Sequence, residues 1–479
     1  MIDQYLNIKN IFLLSLIAAL LLAATIEYVP VILIVAVLCL AVLKNKYRVY
    51  PVLMLIGDLS INSDLNPTIR AIQNTVFTII LFYFAFEKAS FNYKKLPQIP
   101  KVVYEFIIFI TISTLISAWF STDFISGLQT LLKQTYFFLM CFSLYVLLED
   151  NNSVLGYYGA IIFSAVIISI SILVELFQNG FAVFLNSGKD INRFSGYFNN
   201  LNGAGFIIFV ALIISVALFL FERSKKKNIG AFCLLVIIVV ISFSLILTNS
   251  RAALLGGIAG VAFVFLYLKS RYRKQIISGM IIITLLGVII NEATGIFAVY
   301  LRFGEIFSLR DYMWKISLEV IRDYPIWGVG PEMFCNYIYK YMPLELGSWG
   351  EVEMRMLASI HSGGHSHNLL LFRFAELGIP GLVSVLWLFV MHIRISINTL
   401  IKYKYNNDRK YFVIACVGVG IGIWVRQMFE GAGVLTYGWI TTDILFWINF
   451  TILLFFYMKE DNSELFLKDE KNGKVRIPQ

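Results

Sequence analysis

Long apolar runs recur along almost the whole chain, from Ile11 to Tyr457, with short polar segments between them. A helix needs about 20 apolar residues to cross a bilayer and satisfies its own backbone hydrogen bonds there. The pattern therefore predicts an all-α polytopic membrane protein with about 12 to 14 transmembrane helices. The predicted crossings are 11–27, 29–43, 49–57, 68–86, 102–120, 131–149, 154–178, 203–221, 229–247, 252–268, 275–291, 368–393, 411–431 and 435–457.

The composition supports the same class. Of the 479 residues, 59% are hydrophobic and 14% are charged, whereas a soluble domain is about half apolar and a quarter charged. The five cysteines are scattered without metal-like spacing, so we expect them to be small core residues. Glu27 and Pro30 follow the first apolar run in place of a small-residue cleavage pattern, so we expect no cleaved signal peptide.

The net charge of +9 indicates topology, because the basic residues concentrate in alternate loops such as 223–227 and 269–274. Cytoplasmic loops of membrane proteins are enriched in Lys and Arg. We therefore expect a multi-pass protein of the cytoplasmic (inner) membrane with both termini in the cytoplasm. The long polar loop 292–366 then lies on the outer face.

Three regions follow from this pattern. We expect N-terminal transmembrane helices at 1–190, a core transmembrane region at 191–458 that includes the long loop, and a cytoplasmic tail at 459–479.

The most informative segment is the junction between the long loop and the apolar run after it. Three of the four histidines, His361, His365 and His367, lie there within seven residues. Arg373 and Glu376 follow inside the start of the apolar run. Ionisable side chains are costly in hydrocarbon, so their presence there is a hypothesis about function.

Charges gather at the predicted outer ends of other crossings as well. Single charges of this kind can snorkel to the interface or pair with each other, but ten on one side favour a shared, outward-facing polar cavity. The ten residues are Arg70, Lys133, Glu175, Arg193, Arg251, Arg373, Glu376, Arg426, Glu430 and Asp443.

Two motifs precede apolar runs. Arg193 is followed by Asn199, Asn200 and Asn202, whose amides suit sugar hydroxyls but are also ordinary turn and N-cap residues. Arg251 opens a run that carries glycines at close-packing spacing. An arginine at a helix N-terminus adds its planar fork to free backbone N–H groups, which favours an anion site.

A third motif begins at Arg310, inside the long loop. Trp314, Leu318 and Ile321 repeat at helical spacing, and a Pro325 turn ends the segment. This predicts an amphipathic helix that lies on the outer membrane surface or covers the cavity. We interpret Trp314 as a packing residue.

These motifs together resemble the O-antigen ligase/polymerase superfamily, which includes Wzy-type polysaccharide polymerases and WaaL-type O-antigen ligases. The resemblance rests on the Arg193 motif, Ser250-Arg251-Ala, the Arg310 to Gly330 segment, and His367-Asn368 followed by Gly378, in that order. The first 190 residues match only in being apolar, and Leu201 stands where proline is frequent in the family.

The resemblance implies a GT-C-like membrane glycosyltransferase that uses no sugar nucleotide, metal or other cofactor. The donor would be an oligosaccharide on undecaprenyl pyrophosphate, and the acceptor a lipid-linked glycan (polymerase) or lipid A-core (ligase). It implies His367 as the base and Arg251 and Arg310 on the pyrophosphate. The expected substrate-binding residues are Arg193, Asn199, Asn202, Asn368, Arg373, Glu376, Arg426 and Glu430.

The chemistry agrees with this assignment. A sugar hydroxyl is a weak nucleophile, and a histidine can accept its proton near neutral pH. The leaving lipid pyrophosphate gains charge, which arginines hold through paired hydrogen bonds.

Two alternatives stay open. His361, His365 and His367 could bind zinc with Glu351 or Glu353, although no cysteine or acid is interleaved between the histidines. A transporter of lipid-linked glycans would also have many helices, but we see no internal repeat, and the charges lie on one side instead of at the midplane. A Lys-, Asn- and Ile-rich composition, common in bacteria without lipopolysaccharide, favours polymerase over ligase. No nucleic acid partner is expected.

Overall fold

The structure is a computed structural model. It describes residues 46–60, 67–180, 193–198, 200–268, 274, 278, 310–338, 340–341, 365–406, 408–438 and 440–459. The predicted crossings 11–27 and 29–43 lie outside these residues, as does 275–291 apart from residue 278.

All regular secondary structure in the described ranges is helical. The helices are α1 (Lys46–Ser60), α2 (Pro67–Lys88), α3 (Lys101–Phe120), α4 (Phe124–Leu147), α5 (Asn151–Asn179), α6 (Leu201–Ser224), α7 (Asn228–Leu247), α8 (Arg251–Leu268), α9 (Arg310–Asp323), α10 (Phe334–Tyr337), α11 (Leu369–Lys402), α12 (Arg409–Gln427) and α13 (Ile440–Met458). Eight of them, α3 to α8, α11 and α12, are long and apolar enough to cross a membrane, and α13 contains a shorter apolar stretch. The prediction of an all-α polytopic membrane protein is confirmed.

Capping side chains fix where several helices begin. Asp123 accepts a hydrogen bond from the Ser126 N–H at the start of α4, and Asn200 accepts one from Gly203 at the start of α6. Such caps satisfy backbone donors that the first helical turn leaves free. Asn200 is thus the helix cap that its sequence allowed. Asp123 starts α4 at Phe124, seven residues before the predicted crossing 131–149, and this helix is one of the candidate membrane spans.

Helix α6 lies inside the bundle and packs against α5, α7, α8 and α12. Helices α8 and α12 approach closely because glycines line their contact. A Cβ on Gly256 would lie 2.6 Å from the carbonyl oxygen of Gly422, and one on Gly260 would lie 2.7 Å from that of Gly418. The close-packing interpretation of the glycines after Arg251 is therefore confirmed.

Helix α11 is broken at Gly378, which has φ 64° and ψ −152°, and Pro380 follows. The break leaves backbone groups free, and the loop after α9 binds them. Val329 and Gly330 donate to the carbonyls of Ala375 and Glu376 at 3.0 and 2.9 Å, and Ile379 donates to Pro325 at 3.0 Å.

Two glycines allow this crossing of backbones. A Cβ on Gly328 would lie 2.2 Å from the Glu376 carbonyl oxygen, and a Cβ on Gly378 would lie 2.2 Å from that of Ile326. We call residues 325–330 the docking loop, because it fastens α9 to the broken part of α11.

Two predicted crossings near the site, 411–431 and 435–457, extend beyond the helices of the structure. Helix α12 ends at Gln427 and α13 begins at Ile440, so Glu430 lies in a loop, which we call the α12–α13 loop (428–438). This loop contains Gly433 and Gly438, both with positive φ, which interrupt a helix. Helix α11 continues beyond the predicted crossing 368–393 to Lys402, and His392 packs within it against Trp424, Phe446 and Phe450.

The amphipathic helix exists as α9, but the predicted face was wrong. Met313, Ile316 and Val320 are buried against α11, whereas Leu318 is 56% exposed. The helical period identifies the element, but two overlapping apolar stripes fit its sequence. Tertiary contacts with Phe372 and Leu377 select the first of them.

Charged side chains of the described residues separate into two groups at opposite ends of the bundle. We call the end where α11 begins the site end and the end where it finishes the basic end. At the basic end, Arg48 pairs with Glu149 and Asp150, and Lys225 pairs with Asp408. The charges with a predicted outer location lie at the site end, apart from Arg70, whose side chain is outside the described residues.

Candidate functional site

The site is built around a contact between His367 and Glu430. Nδ1 of His367 lies 3.0 Å from Oε1 of Glu430, a residue 63 positions away. The His367 side chain is 33% exposed and that of Glu430 only 4%. An ionised carboxylate only accepts hydrogen bonds, so the contact places the imidazole proton on Nδ1 and leaves the Nε2 lone pair available.

Local structure fixes the backbone on both sides of this pair. His367 has φ 50°, a conformation that is uncommon for residues other than glycine and that often marks a functional position. Asn368 caps α11 by accepting from Leu371, and its amide donates to the Met428 carbonyl at 3.1 Å. Gly431 passes directly beside His365, because a Cβ there would lie 3.2 Å from its Cβ.

Arginines surround the acidic partner. Arg426 is buried, donates to the Ala432 carbonyl at 2.6 Å and lies 4.2 Å above the Phe206 ring. Arg310, at the start of α9, is close enough to interact electrostatically with both Glu430 and Arg426. A cationic group therefore adjoins the His367–Glu430 pair.

The packing of α8 against α12 places Arg251 at the site end as well. Gly256 of α8 faces Gly422 of α12, and Gly260 faces Gly418, so the two helices run antiparallel. Following this register towards the site end brings Arg251 level with Gln427, next to Arg426 in sequence. The two predicted phosphate-binding arginines, Arg251 of α8 and Arg310 of α9, therefore lie at the same end of the bundle.

The surroundings shift the pKa values of Glu430, Arg310 and His365. Burial alone would raise the pKa of Glu430, but His367 and its hydrogen bond, together with Arg426, lower it below its ordinary value. Burial lowers the pKa of the Arg310 guanidinium, and Glu430 opposes that shift. Burial also lowers the pKa of His365 to about 4. Glu430 is therefore an anion at neutral pH, and His365 is uncharged.

A second polar group lies one helical turn into α11. The Arg373 guanidinium is fully buried and stacks 4.1 Å above the ring of Tyr437 from the α12–α13 loop. Glu376 is 1% exposed, and one of its carboxylate oxygens accepts from the Phe334 N–H at 3.3 Å. Asp443 is 1% exposed and accepts from the N–H and hydroxyl of Thr436.

The Arg193 motif forms a third group. Glu175 accepts hydrogen bonds from the backbone of Ser195 and Gly196, and Arg193 donates to the Asn249 carbonyl at 3.4 Å. Asn202 accepts from the Ser250 hydroxyl at 3.0 Å, which links this motif to the start of α8.

The structure therefore brings some predicted residues together and separates others. His367, Glu430, Arg426 and Arg310 adjoin one another, whereas Arg373 and Glu376 are enclosed beside Tyr437. Both polar atoms of the Asn368 side chain are used: Oδ1 caps α11, and Nδ2 donates to the Met428 carbonyl. Asn199 and the side chain of Arg70 lie outside the described residues, as do His361, Glu351 and Glu353.

Tyr437 and the acceptor role of Glu430 were missed by the sequence reasoning. Glu430 was predicted to contact substrate, but the histidine that it binds lies in a distant segment. Tyr437 carries no charge, although Gly431, Gly433 and Gly438 around it would have signalled a loop. Among the described residues, no group of three His, Cys, Asp or Glu has an arrangement that could hold a metal ion. The zinc alternative needs residues beyond them.

The arrangement can remove a proton and stabilise an anion. A carboxylate-oriented histidine is suited to general-base catalysis, and adjacent arginines suit a phosphorylated leaving group. No curated protein matches this chain. Residues 236–386, just under a third of the chain, match the family model described as O-antigen ligase. This segment contains Arg251, Arg310 and His367, and the match confirms the resemblance to the O-antigen ligase/polymerase superfamily.

Proposed function

We propose that the protein is a metal-independent membrane glycosyltransferase that moves a glycan from undecaprenyl pyrophosphate to a glycan acceptor. The family match supports an O-antigen ligase/polymerase-type function in general. The observation that carries the proposal is the His367–Glu430 pair with arginines beside it.

His367 acts as the base. Glu430 holds its Nδ1–H, so Nε2 faces the acceptor hydroxyl and takes its proton as the oxygen attacks the anomeric carbon of the donor. No hydrogen bond to Nε2 of His367 is formed by a side chain of the described residues. The 33% exposure of the His367 side chain leaves room for an acceptor. General-base assistance of this kind contributes about 10²- to 10⁴-fold in rate.

Arg251 and Arg310 hold the leaving group. The bond between the anomeric carbon and the phosphate oxygen breaks, and its electron pair stays on the lipid pyrophosphate. Guanidinium groups bind such oxygens bidentately and need no proton transfer. The Arg426 guanidinium donates a hydrogen bond to the Ala432 carbonyl and contributes positive charge next to Glu430.

The acceptor is proposed to be a second lipid-linked glycan, as in a Wzy-type polymerase, because the Lys-, Asn- and Ile-rich composition points to bacteria without lipopolysaccharide. The description of the matching family as O-antigen ligase favours lipid A-core as the alternative acceptor. The two are distinguished by offering each acceptor separately to purified protein and measuring glycan transfer.

The site is proposed to face outward, on the side opposite the basic end. Single cysteines introduced at 223–227 or 402–406 should react with an impermeant thiol reagent only after permeabilisation. Cysteines introduced at exposed positions of 310–341 should react in intact cells. The reverse labelling pattern would place the site in the cytoplasm.

The decisive experiment uses protein purified in detergent with a lipid-linked oligosaccharide donor. We expect a longer glycan product and free undecaprenyl pyrophosphate, without added metal. A transporter produces neither, because detergent removes the compartments and transport involves no bond change. Unchanged donor after long incubation with active acceptor lipids would contradict the proposal.

A further inference from the structure

A group of buried polar side chains lies beside the candidate site but takes no part in the proposed proton transfer. We call it the polar chamber and define it by Gln134, Arg373, Glu376 and Asp443, with the Tyr437 ring at its edge. Gln134, Tyr437 and Asp443 line a small cavity between α4 and the α12–α13 loop. Arg373 stacks on the Tyr437 ring and interacts electrostatically with Asp443.

Several polar atoms of the chamber are buried without a partner in the described part of the chain. They are Nε, Nη1 and Nη2 of Arg373 and Nε2 of Gln134. The Tyr437 hydroxyl and the Glu376 carboxylate interact with each other. Arg373 is 0% exposed. A buried guanidinium without hydrogen bonds is strongly unfavourable, and buried polar groups around a polar cavity are ordinarily satisfied by ordered water.

An aromatic pair separates this chamber from the His367–Glu430 pair. The Phe372 ring lies 6.5 Å from the Tyr437 ring on one side and 5.9 Å from the His365 ring on the other. His365 in turn lies 5.7 Å from the His367 ring. Phe372 is 5% exposed and Tyr437 1%, so neither ring faces solvent. The ring distances place Phe372 between Tyr437 and His365.

We propose that the polar chamber binds water and that Phe372 and Tyr437 keep this water from the anomeric carbon of the donor. The inference rests on the proposed glycosyl transfer. Water and a sugar hydroxyl are rival nucleophiles for the same step. If water attacks, its oxygen bonds to the anomeric carbon, His367 takes a proton, and the electron pair of the breaking bond leaves with the pyrophosphate. The product is a free glycan, and the donor is wasted.

This makes Phe372 and Tyr437 specificity-determining residues for sugar over water. The ratio of donor hydrolysis to glycan transfer distinguishes this role from a purely structural one. A packing defect slows every reaction of the site together, whereas an opened wall raises hydrolysis relative to transfer. The uncharged Phe372 ring is the better target, because Tyr437 also supports Arg373.

The test measures free glycan released and glycan transferred from the same lipid-linked donor by full-length protein in detergent. For Phe372→Ala we expect the ratio of hydrolysis to transfer to rise about tenfold, equivalent to about 1.4 kcal/mol between the two barriers. Phe412→Ala is the matched control, because Phe412 is also 5% exposed but packs near the basic end against Tyr158 and Phe456. It should leave the ratio unchanged.

A double variant separates the wall from the water behind it. Arg373→Met removes the group that most requires hydration, so combining it with Phe372→Ala should lower the hydrolysis ratio again. Phe372→Leu keeps most of the volume and should give a smaller rise, and it replaces the alanine variant if that protein does not fold. Parallel loss of hydrolysis and transfer in Phe372→Leu, or an unchanged ratio, overturns the inference. Absence of both reactions in the unmodified protein contradicts the proposed function instead.

Discussion

The two ends of the bundle carry charges in opposite ways. At the basic end, Arg48 and Glu149 are 49% and 33% exposed and meet at 3.3 Å, and such solvent-exposed pairs contribute little to stability. At the site end, Arg373, Glu376, Arg426 and Glu430 are all less than 4% exposed. Burying charges costs several kcal/mol each unless they are well paired. The contrast agrees with the proposed function, in which the basic end orients the protein in the membrane and the site end carries the chemistry.

The largest expected effect is at the His367–Glu430 pair. His367→Ala should lower glycan transfer by about 10²- to 10⁴-fold, the usual contribution of a general base. Glu430→Gln should lower it less, because it keeps the hydrogen bond but loses the charge that stabilises the imidazolium. Both are measured as transfer rates at equal amounts of folded protein. Transfer near the unmodified rate for His367→Ala would remove this histidine from the mechanism.

The arginines come next. Arg251→Lys and Arg310→Lys should each cost about 2–4 kcal/mol of transition-state stabilisation, because an ammonium lacks the planar fork. The corresponding decrease in transfer rate is about 30- to 1000-fold.

Arg322→Lys is the matched control on the same helix as Arg310. Its side chain is 71% exposed and pairs with Glu319 at 2.7 Å, so its rate should stay close to that of the unmodified protein. If all three lysine variants retain activity, Arg251 and Arg310 act only as structural charges, and the contrast between the two ends does not reflect catalysis.

A smaller effect concerns His365 and pH. Its folded-state pKa of about 4 lies below that of a free imidazole, so the unfolded chain binds more protons in mildly acidic solution. Stability should therefore fall as pH drops from 7 to 5, by about 1–2 kcal/mol from this residue, because the unfolded chain takes up the proton in this interval and the folded one does not. The surrounding charges are Glu430, which opposes the shift, and His367 and Arg426, which favour it. Thermal unfolding of His365→Gln in detergent should show a weaker pH dependence; an identical slope would exclude this contribution.

The smallest effect is expected at the basic end. Arg48→Ala should change stability by less than about 1 kcal/mol and leave transfer unaltered, because its ion pairs are exposed to solvent. Thermal unfolding and the transfer rate check both statements. A large loss of transfer would show that the two ends are coupled.

Hydropathy predicted the helices well, because each crossing must satisfy its backbone within its own segment. The charge pattern also predicted that His367, Arg310, Arg426 and Glu430 share one end. Contacts between distant segments escaped prediction. The hydrogen bond from His367 to Glu430 depends on α12 ending at Gln427, whereas hydropathy continued that helix to 431.

The α9 face shows the same limit on a smaller scale. Leu318 fits an apolar stripe as well as Ile316 does, and only the docking against Phe372 distinguishes them. Periodicity specifies the type of an element, while its orientation depends on partners that a single sequence does not reveal.

The docking loop has a consequence for protein engineering. Residues 325–330 and 375–379 are joined by backbone hydrogen bonds, and Gly328 and Gly378 at their contact leave no room for a side chain. The two segments therefore form one structural unit. A chimera that imports the Arg310 helix from a relative must import the Gly378 break as well. Exchanging either half alone would leave the grafted arginine aimed at the wrong place, however similar its sequence.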